Sequence, residues 1–177
     1  FIGRLVYEKG SDLFPEAFEQ VLHNQNVSIL LLGSGDPKTE EELMALREKF
    51  KGKYNSYIGY DEKLSHIVYA GADFLLMPSR VEPCGLNQMY SLRYGTIPIV
   101  RGIGGLKDTI VDIEDGGFGL MHDDTTVEQI VSSVKRAATL YKDQVKIKKL
   151  RKQIMNIDHS WDRSARVYIQ LYNSLTD

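Results

Sequence analysis

The chain has 177 residues, 42% hydrophobic and 26% charged, with a formal net charge of −2. That composition suits one globular domain with a proper core. It excludes a case for nucleic acid on electrostatic grounds, and no apolar run approaches the roughly 20 residues of a membrane-spanning helix. The single cysteine, Cys84, excludes an intrachain disulfide framework and fits a reducing compartment.

Phe1-Ile2-Gly3-Arg4-Leu5 reads as the end of a strand rather than a natural N-terminus, which predicts a fragment of a longer protein. Val6 to Gly10 is a loop, and Ser11 or Asp12 is placed to cap a helix over about 12–23. Residues 27–32 are a short apolar run, hence a buried strand, ending at Gly33-Ser34-Gly35-Asp36. A helix follows over about 37–50, then a strand over 54–58. Asp61 caps the next helix, with Leu64, Ile67, Val68 and Ala70 facing inward. Residues 73–77 form a second buried strand, followed by a helix over 85–94. Ile97-Pro98-Ile99-Val100 is a strand whose proline marks a strand start or an edge. Gly102 to Gly105 is a loop before a short helix, and residues 117–121 form a last strand.

From Thr125 the pattern is helical. Val127, Ile130, Val131 and Val134 form one apolar stripe and Val145, Ile147, Leu150 and Ile154 another. Val167, Ile169, Leu171 and Leu175 follow Trp161, which reads as a core residue. Strands alternating with helices predict an α/β fold: a Rossmann-like parallel sheet with helices on both faces. The expected organisation is a single domain, 1–177, with an α/β core over 1–124 and C-terminal helices over 125–177.

Four stretches sit where such a sheet binds ligands, in loops beyond the strands' C-terminal ends. Arg4 and Lys9 flank the first loop; a guanidinium can grip two phosphate oxygens and an ammonium acts as a point charge, or both are solvated bases. Gly33-Ser34-Gly35 is either a tight turn or a nucleotide contact, but not a dinucleotide fingerprint, because Lys38 stands where the third glycine belongs. Tyr60 can stack on a base or cover the core with its hydroxyl in water. Glu82 stands in the turn before Gly85 and a helix N-terminus, where free N–H groups attract phosphate. A fifth loop, with Gly104 and Gly105 before a helix, exposes backbone N–H groups for an anion or makes a structural turn. Cys84 has no partnered histidine in its motif and reads as a packed or protective loop thiol. The four histidines lack metal-ligand spacing.

Ser79-Arg80-x-Glu82-Pro83-Cys84-Gly85-Leu86-x-Gln88 resembles the signature loop of the bacterial glycogen synthases and plant starch synthases, retaining glycosyltransferases of the GT-B fold. Gly3-Arg4-Leu5-x-x-x-Lys9-Gly10, Gly33-x-Gly35-Asp36, Ile58-Gly59-Tyr60, Arg101-x-x-Gly104-Gly105-Leu106-x-Asp108-Thr109 and Ser160-Trp161 resemble the same family in order and spacing, from Gly3 to about Tyr172. Many GT-B enzymes place a second Glu eight positions after the first; here Tyr90 stands there, a departure these synthases share.

The resemblance implies transfer of glucose from ADP-glucose, or UDP-glucose in some members, to an α-1,4-glucan acceptor with retention. It assigns Arg4 and Lys9 to the diphosphate, Tyr60 to the adenine, Glu82 to the donor sugar and ribose, and the N–H groups around Leu86 and Asn87 to the phosphates. Cys84, Gly85, Gly35, Gly104 and Gly105 line the same site by resemblance. Asn87 departs from the Thr often found there in bacterial relatives, which bears on a side-chain contact alone. No metal or cofactor is implied, and neither nucleic acid nor membrane is a partner. The expected compartment is the cytoplasm, or the plastid stroma for a plant chain. An N-terminal GT-B domain, absent from this chain, would complete the active site, so the fragment would bind nucleotide and be inactive alone. A non-catalytic nucleotide-binding module is the alternative, as is another GT-B transferase of the sucrose-synthase type.

Overall fold

The computed structural model of the chain describes residues 1–175. Among these, five strands and eight α-helices alternate. They are α1 (Phe14–Asn24), β1 (Ile29–Gly33), α2 (Pro37–Lys49), β2 (Tyr54–Ile58), α3 (Glu62–Gly71), β3 (Phe74–Met77), α4 (Asn87–Tyr94), β4 (Ile97–Arg101), α5 (Gly104–Thr109), β5 (Leu120–His122), α6 (Val127–Tyr141), α7 (Gln144–Met155) and α8 (Trp161–Ser174). All named strand pairs are parallel, with β1 beside β2 and β4 between β3 and β5. Residues 1–5 run parallel alongside β1 through isolated bridges, Ile2 to Leu32 and Leu5 to Gly35.

Helix starts follow local chemistry. Asp36 accepts the Thr39 N–H at 2.8 Å, Asp61 the Leu64 N–H at 2.9 Å, and Ser160 the Arg163 N–H at 3.3 Å. Each satisfies one of the first-turn donors that a helix leaves unpaired. The first helix departs from expectation. Ser11 and Asp12 do not cap it; the chain makes two 3-10 turns, Tyr7–Lys9 and Ser11–Leu13, hinged at Gly10 with φ +72°, and α1 begins at Phe14 with Pro15 in its first turn. Both capping side chains are used elsewhere: the Ser11 hydroxyl donates back to the Val6 carbonyl at 3.1 Å, and Arg80 takes the Asp12 carboxylate.

Two apolar clusters sandwich the strands. Leu76, Ile99 and Leu120 lie in one cross-strand row and pack with α1, α2 and α6. Leu75, Met77 and Val100 point the other way and pack with Tyr69 of α3, Leu92 of α4, Leu106 of α5 and Ile147, Leu150 and Ile154 of α7. That alternation is the period-two rule of a strand. Pro98 occupies a strand start, not an edge: β4 is central, and its pairing with β5 begins only at Ile99. The missing proline N–H therefore costs no bond to β5.

Inward assignments in three helices need correction. In α3 the buried residues are Val68 and Tyr69, while Ile67 and Ala70 are exposed. The helix turns its aromatic toward α4, where Tyr69 stacks on Tyr94 at 6.1 Å. Val145, in the first turn of α7, is 82% exposed. The whole of α8 carries no buried residue, and Trp161, expected in the core, is 88% exposed. An amphipathic pattern says which face of a helix is apolar, not whether anything covers it.

Candidate functional site

Because the strands run parallel, their C-terminal ends share one edge, where α/β sheets bind ligands. Two adjoining clefts lie there, of about 320 and 460 Å³, and both are bordered by Ile2, Gly3, Arg4 and Asn87. The smaller one is walled by Lys9, Ser79, Glu82, Gly85 and Leu86, and the larger by Gly33, Ser34, Tyr60, His66, Tyr69 and Tyr90.

Glu82 is the most constrained of these residues. It is 8% exposed, and its Oε2 accepts from Lys9 Nζ in an ion pair and from Ser79 Oγ at 3.1 Å. A buried carboxylate needs such partners to stay charged. Lys9 reaches it from the 3-10 turn after residue 6, so the sequence's first loop and its signature loop meet across the cleft. Arg4 is exposed and, among the described residues, pairs with no carboxylate. With one anion against two cations, the cleft is left a net positive charge. The N-terminus of α4 points into the same space. Its cap residue, Leu86, supplies no side-chain hydrogen bond, so the first N–H groups stay available for an anion. Asn87, the first residue of α4, donates its side-chain N–H to the Ile2 carbonyl at 2.7 Å, which ties the helix start to residues 1–5.

Glycines allow the loops to close this tightly. A β-carbon on Gly33 would lie 1.9 Å from the Gly3 carbonyl oxygen, and one on Gly104 2.2 Å from that of Glu82. These are backbone atoms that cannot swing aside, so the approach requires glycine.

Tyr60 borders the larger cleft with 85% of its surface exposed, next to His66, whose Nδ1 lies 3.0 Å from the Tyr94 hydroxyl. Tyr69 beneath is buried, and that burial raises its phenol above the ordinary range.

The structure brings Arg4, Lys9, Glu82, Gly85, Leu86 and Asn87 to one cleft and adds Tyr60 in the adjoining one. It does not bring Gly35, Cys84, Gly104 or Gly105 to either wall. The Gly35 N–H donates to Glu40 Oε1 at 2.6 Å, and the Gly105 N–H to the Glu82 carbonyl at 3.1 Å. The first is taken by a carboxylate of α2 and the second by the backbone of the Glu82 loop. Cys84 is exposed, its thiol 3.6 Å from the Gly85 carbonyl. Among the described residues no three His, Cys, Asp or Glu side chains are grouped to hold a metal ion, and no helix is long and apolar enough to cross a membrane. Sequence reasoning passed over Ser79, which holds Glu82, and Gln88, whose side-chain N–H groups tie the Cys84 and Gly85 carbonyls at 3.0 Å each. The signal was present: both belong to the signature loop.

Residues 1–154 match the family model described as glycosyl transferases group 1. The chain is 52% identical to a glycogen synthase of Flavobacterium johnsoniae over 98% of its own length and 37% of that protein. It is 45% identical to a glycogen synthase of Myxococcus xanthus over 99% of its length and 36% of that protein. It thus spans little more than a third of the length of the curated relatives it matches. Among solved structures it is similar to the catalytic domain of starch synthase IV from Arabidopsis thaliana bound to ADP and acarbose, with a TM-score of 0.84 at 36% identity, covering 98% of this chain and 38% of that one. Sucrose-phosphate synthase from Thermosynechococcus elongatus, 21% identical with a TM-score of 0.69 over 99% of this chain and 45% of that one, shares the fold.

Proposed function

This chain belongs to the group 1 glycosyltransferases, and on that premise we propose that it is the donor-nucleotide domain of a glycogen or starch synthase. The whole enzyme would transfer glucose from ADP-glucose to the non-reducing end of an α-1,4-glucan with retention. The observation that carries the reading is the meeting of Lys9 with Glu82 beside Arg4 and the α4 N-terminus, in a chain 52% identical to a glycogen synthase over nearly its whole length.

The chemistry fits those groups. As glucose leaves ADP, negative charge grows on the diphosphate oxygen. Arg4, Lys9 and the free N–H groups of α4 are aimed at the cleft where that charge would develop, and such fixed dipoles and cations favour the transition state over the ground state. Lys9 is shared: its bond to Glu82 holds the ammonium in place before the donor arrives, and the arriving phosphate competes for it. Glu82, buried and tethered by Ser79, faces the sugar and ribose. Tyr60, exposed at the far cleft, offers a stacking face to the adenine.

In this reading residues 1–177 are one domain, and the acceptor side belongs to a second, N-terminal GT-B domain. Its relatives' greater length supports that division. The cytoplasm, or a plastid stroma, is the compartment that goes with it.

The test is transfer of labelled glucose from ADP-glucose to glycogen, by this chain alone and by the full-length protein. Transfer by the full-length protein and none by the chain alone is expected. A full-length protein that binds ADP and transfers nothing would indicate a non-catalytic nucleotide module.

A further inference from the structure

Lys9 and Glu82 are 73 residues apart; Lys9 ends a short 3-10 turn, and the two side chains meet in an ion pair. What joins them is Arg80, two residues before Glu82. Its guanidinium forms a fork with Asp12, Nη1 to Oδ1 at 2.5 Å and Nη2 to Oδ2 at 2.9 Å. Nη1 also donates to the Tyr7 carbonyl at 2.7 Å, and the group lies 3.8 Å above the Tyr7 ring. The backbone adds the Arg80 and Val81 N–H groups, both donating to the Glu8 carbonyl, at 2.8 and 3.2 Å. So Arg80 grips the residues immediately before Lys9 and the residue three after it.

The grip is anchored from behind. Arg101, at the end of β4, donates Nη1 to the Arg80 carbonyl at 3.1 Å and Nε to the Asp123 carbonyl at 2.9 Å. The Thr125 hydroxyl donates to the Pro78 carbonyl at 2.9 Å. Arg80 itself lines neither cleft.

We propose that Arg80 is a positioning residue, whose fork to Asp12 and stacking on Tyr7 set Lys9 opposite Glu82 and thereby set the cleft's affinity for a diphosphate. A planar guanidinium with five donors can satisfy a carboxylate, a carbonyl and a ring face together; an ammonium cannot. The geometric part of the inference stands on the contacts above, and its consequence for a ligand rests on the nucleotide reading.

Two readouts on the chain separate these parts. The first is the rate of Lys9 acetylation by acetic anhydride, read by mass spectrometry against Lys49 and Lys142 as internal references. Arg80→Lys and Asp12→Asn should each raise labelling of Lys9 severalfold and leave the reference lysines unchanged, which also certifies the fold. The second is ADP affinity by calorimetry. Arg80→Lys should weaken ADP about tenfold, the effect of one charge-assisted hydrogen bond at the active cation. In a Lys9→Ala background the same substitution should change ADP affinity by no more than about twofold, because a residue acting through Lys9 has nothing left to act on.

Unchanged Lys9 labelling in both variants overturns the proposal. So does a full tenfold loss that persists without Lys9, since Arg80 would then act on the ligand or the fold directly. Faster Lys9 labelling in a chain whose wild type binds no ADP upholds the positioning role and removes the nucleotide reading alone.

Discussion

A methyl group on Gly105 would lie 2.0 Å from the carbonyl oxygen of Cys84, while the Gly105 N–H donates to the Glu82 carbonyl at 3.1 Å. The start of α5 thus clamps the backbone of the loop that carries Glu82. Gly105→Ala must push that loop outward, at a cost of about 1–3 kcal/mol for overpacking, and with it the carboxylate. The expected outcome is a lower melting temperature together with weaker ADP binding. Gly71→Ala is the control: it ends α3 with nothing within 4 Å of a β-carbon, and should be neutral or stabilising by up to about 1 kcal/mol. Wild-type melting of Gly105→Ala would show that the clamp is slack.

Asp112 is the next test, this time of the fold. Its carboxylate accepts Arg136 Nη2 at 2.7 Å and Nη1 at 3.1 Å, the Glu114 N–H at 2.9 Å and the Met121 N–H at 2.5 Å. Burial alone would push its pKa up, but these hydrogen bonds and the Arg136 charge outweigh it and hold the carboxyl below its ordinary range. A depressed folded-state pKa contributes stability above the unfolded value, about 3.9 for Asp, and that stability is lost as pH falls through the folded value. Asp112→Asn should cost about 2–3 kcal/mol at neutral pH, toward the low end because Arg136 keeps 29% of its side chain in solvent. Its melting temperature should also fall less steeply than wild type below about pH 4. Parallel acid slopes for the two proteins would contradict the linkage.

Tyr60→Ala removes an exposed ring that supports no core. Melting should be unchanged, and ADP binding weaker by about 1–3 kcal/mol, the scale of base–aromatic stacking. Pyrophosphate binding should be unaffected. An equal loss for both ligands would place the effect in the fold.

The strands were readable because buried parallel strands are short continuous apolar runs, as in Phe74-Leu75-Leu76-Met77, and the cap at Asp61 because it acts within three residues. What failed depended on distant partners. Ser11 and Asp12 looked like caps until Val6 and Arg80 claimed their side chains. Leu64, Ile67, Val68 and Ala70 all read as inward, but with Tyr69 stacked on Tyr94 it is Val68 and Tyr69 that are buried. Trp161 belongs to a helix whose apolar face is legible and whose cover is not in the described residues. At the site, motif order pointed to Arg4, Lys9, Glu82 and Asn87, which the fold gathers. It could not tell that the Gly35 N–H is taken by the Glu40 carboxylate and the Gly105 N–H by the Glu82 carbonyl.

Removing either cation should reveal an asymmetry. Lys9→Ala strands a buried Glu82 charge in the cleft, whereas Arg4→Ala removes a cation that pairs with no carboxylate among the described residues. Lys9→Ala should therefore weaken ADP more than Arg4→Ala, and Lys9→Ala/Glu82→Gln should recover part of the loss by taking away the repelling anion. Calorimetry on the three variants reads this directly; equal losses in all three would mean that Glu82 does not face the phosphates' field.

Titration of ADP into the wild-type chain with EDTA present, beside Arg4→Ala and Lys9→Ala, tests the diphosphate site most directly. The wild type should bind without metal. Each variant should lose about 1.5–3 kcal/mol, the worth of a hydrogen bond to a charged group, or roughly ten- to a hundredfold in affinity. Wild-type chain that gives no binding heat with ADP, or variants that bind it as tightly as wild type, would contradict the assignment of this cleft.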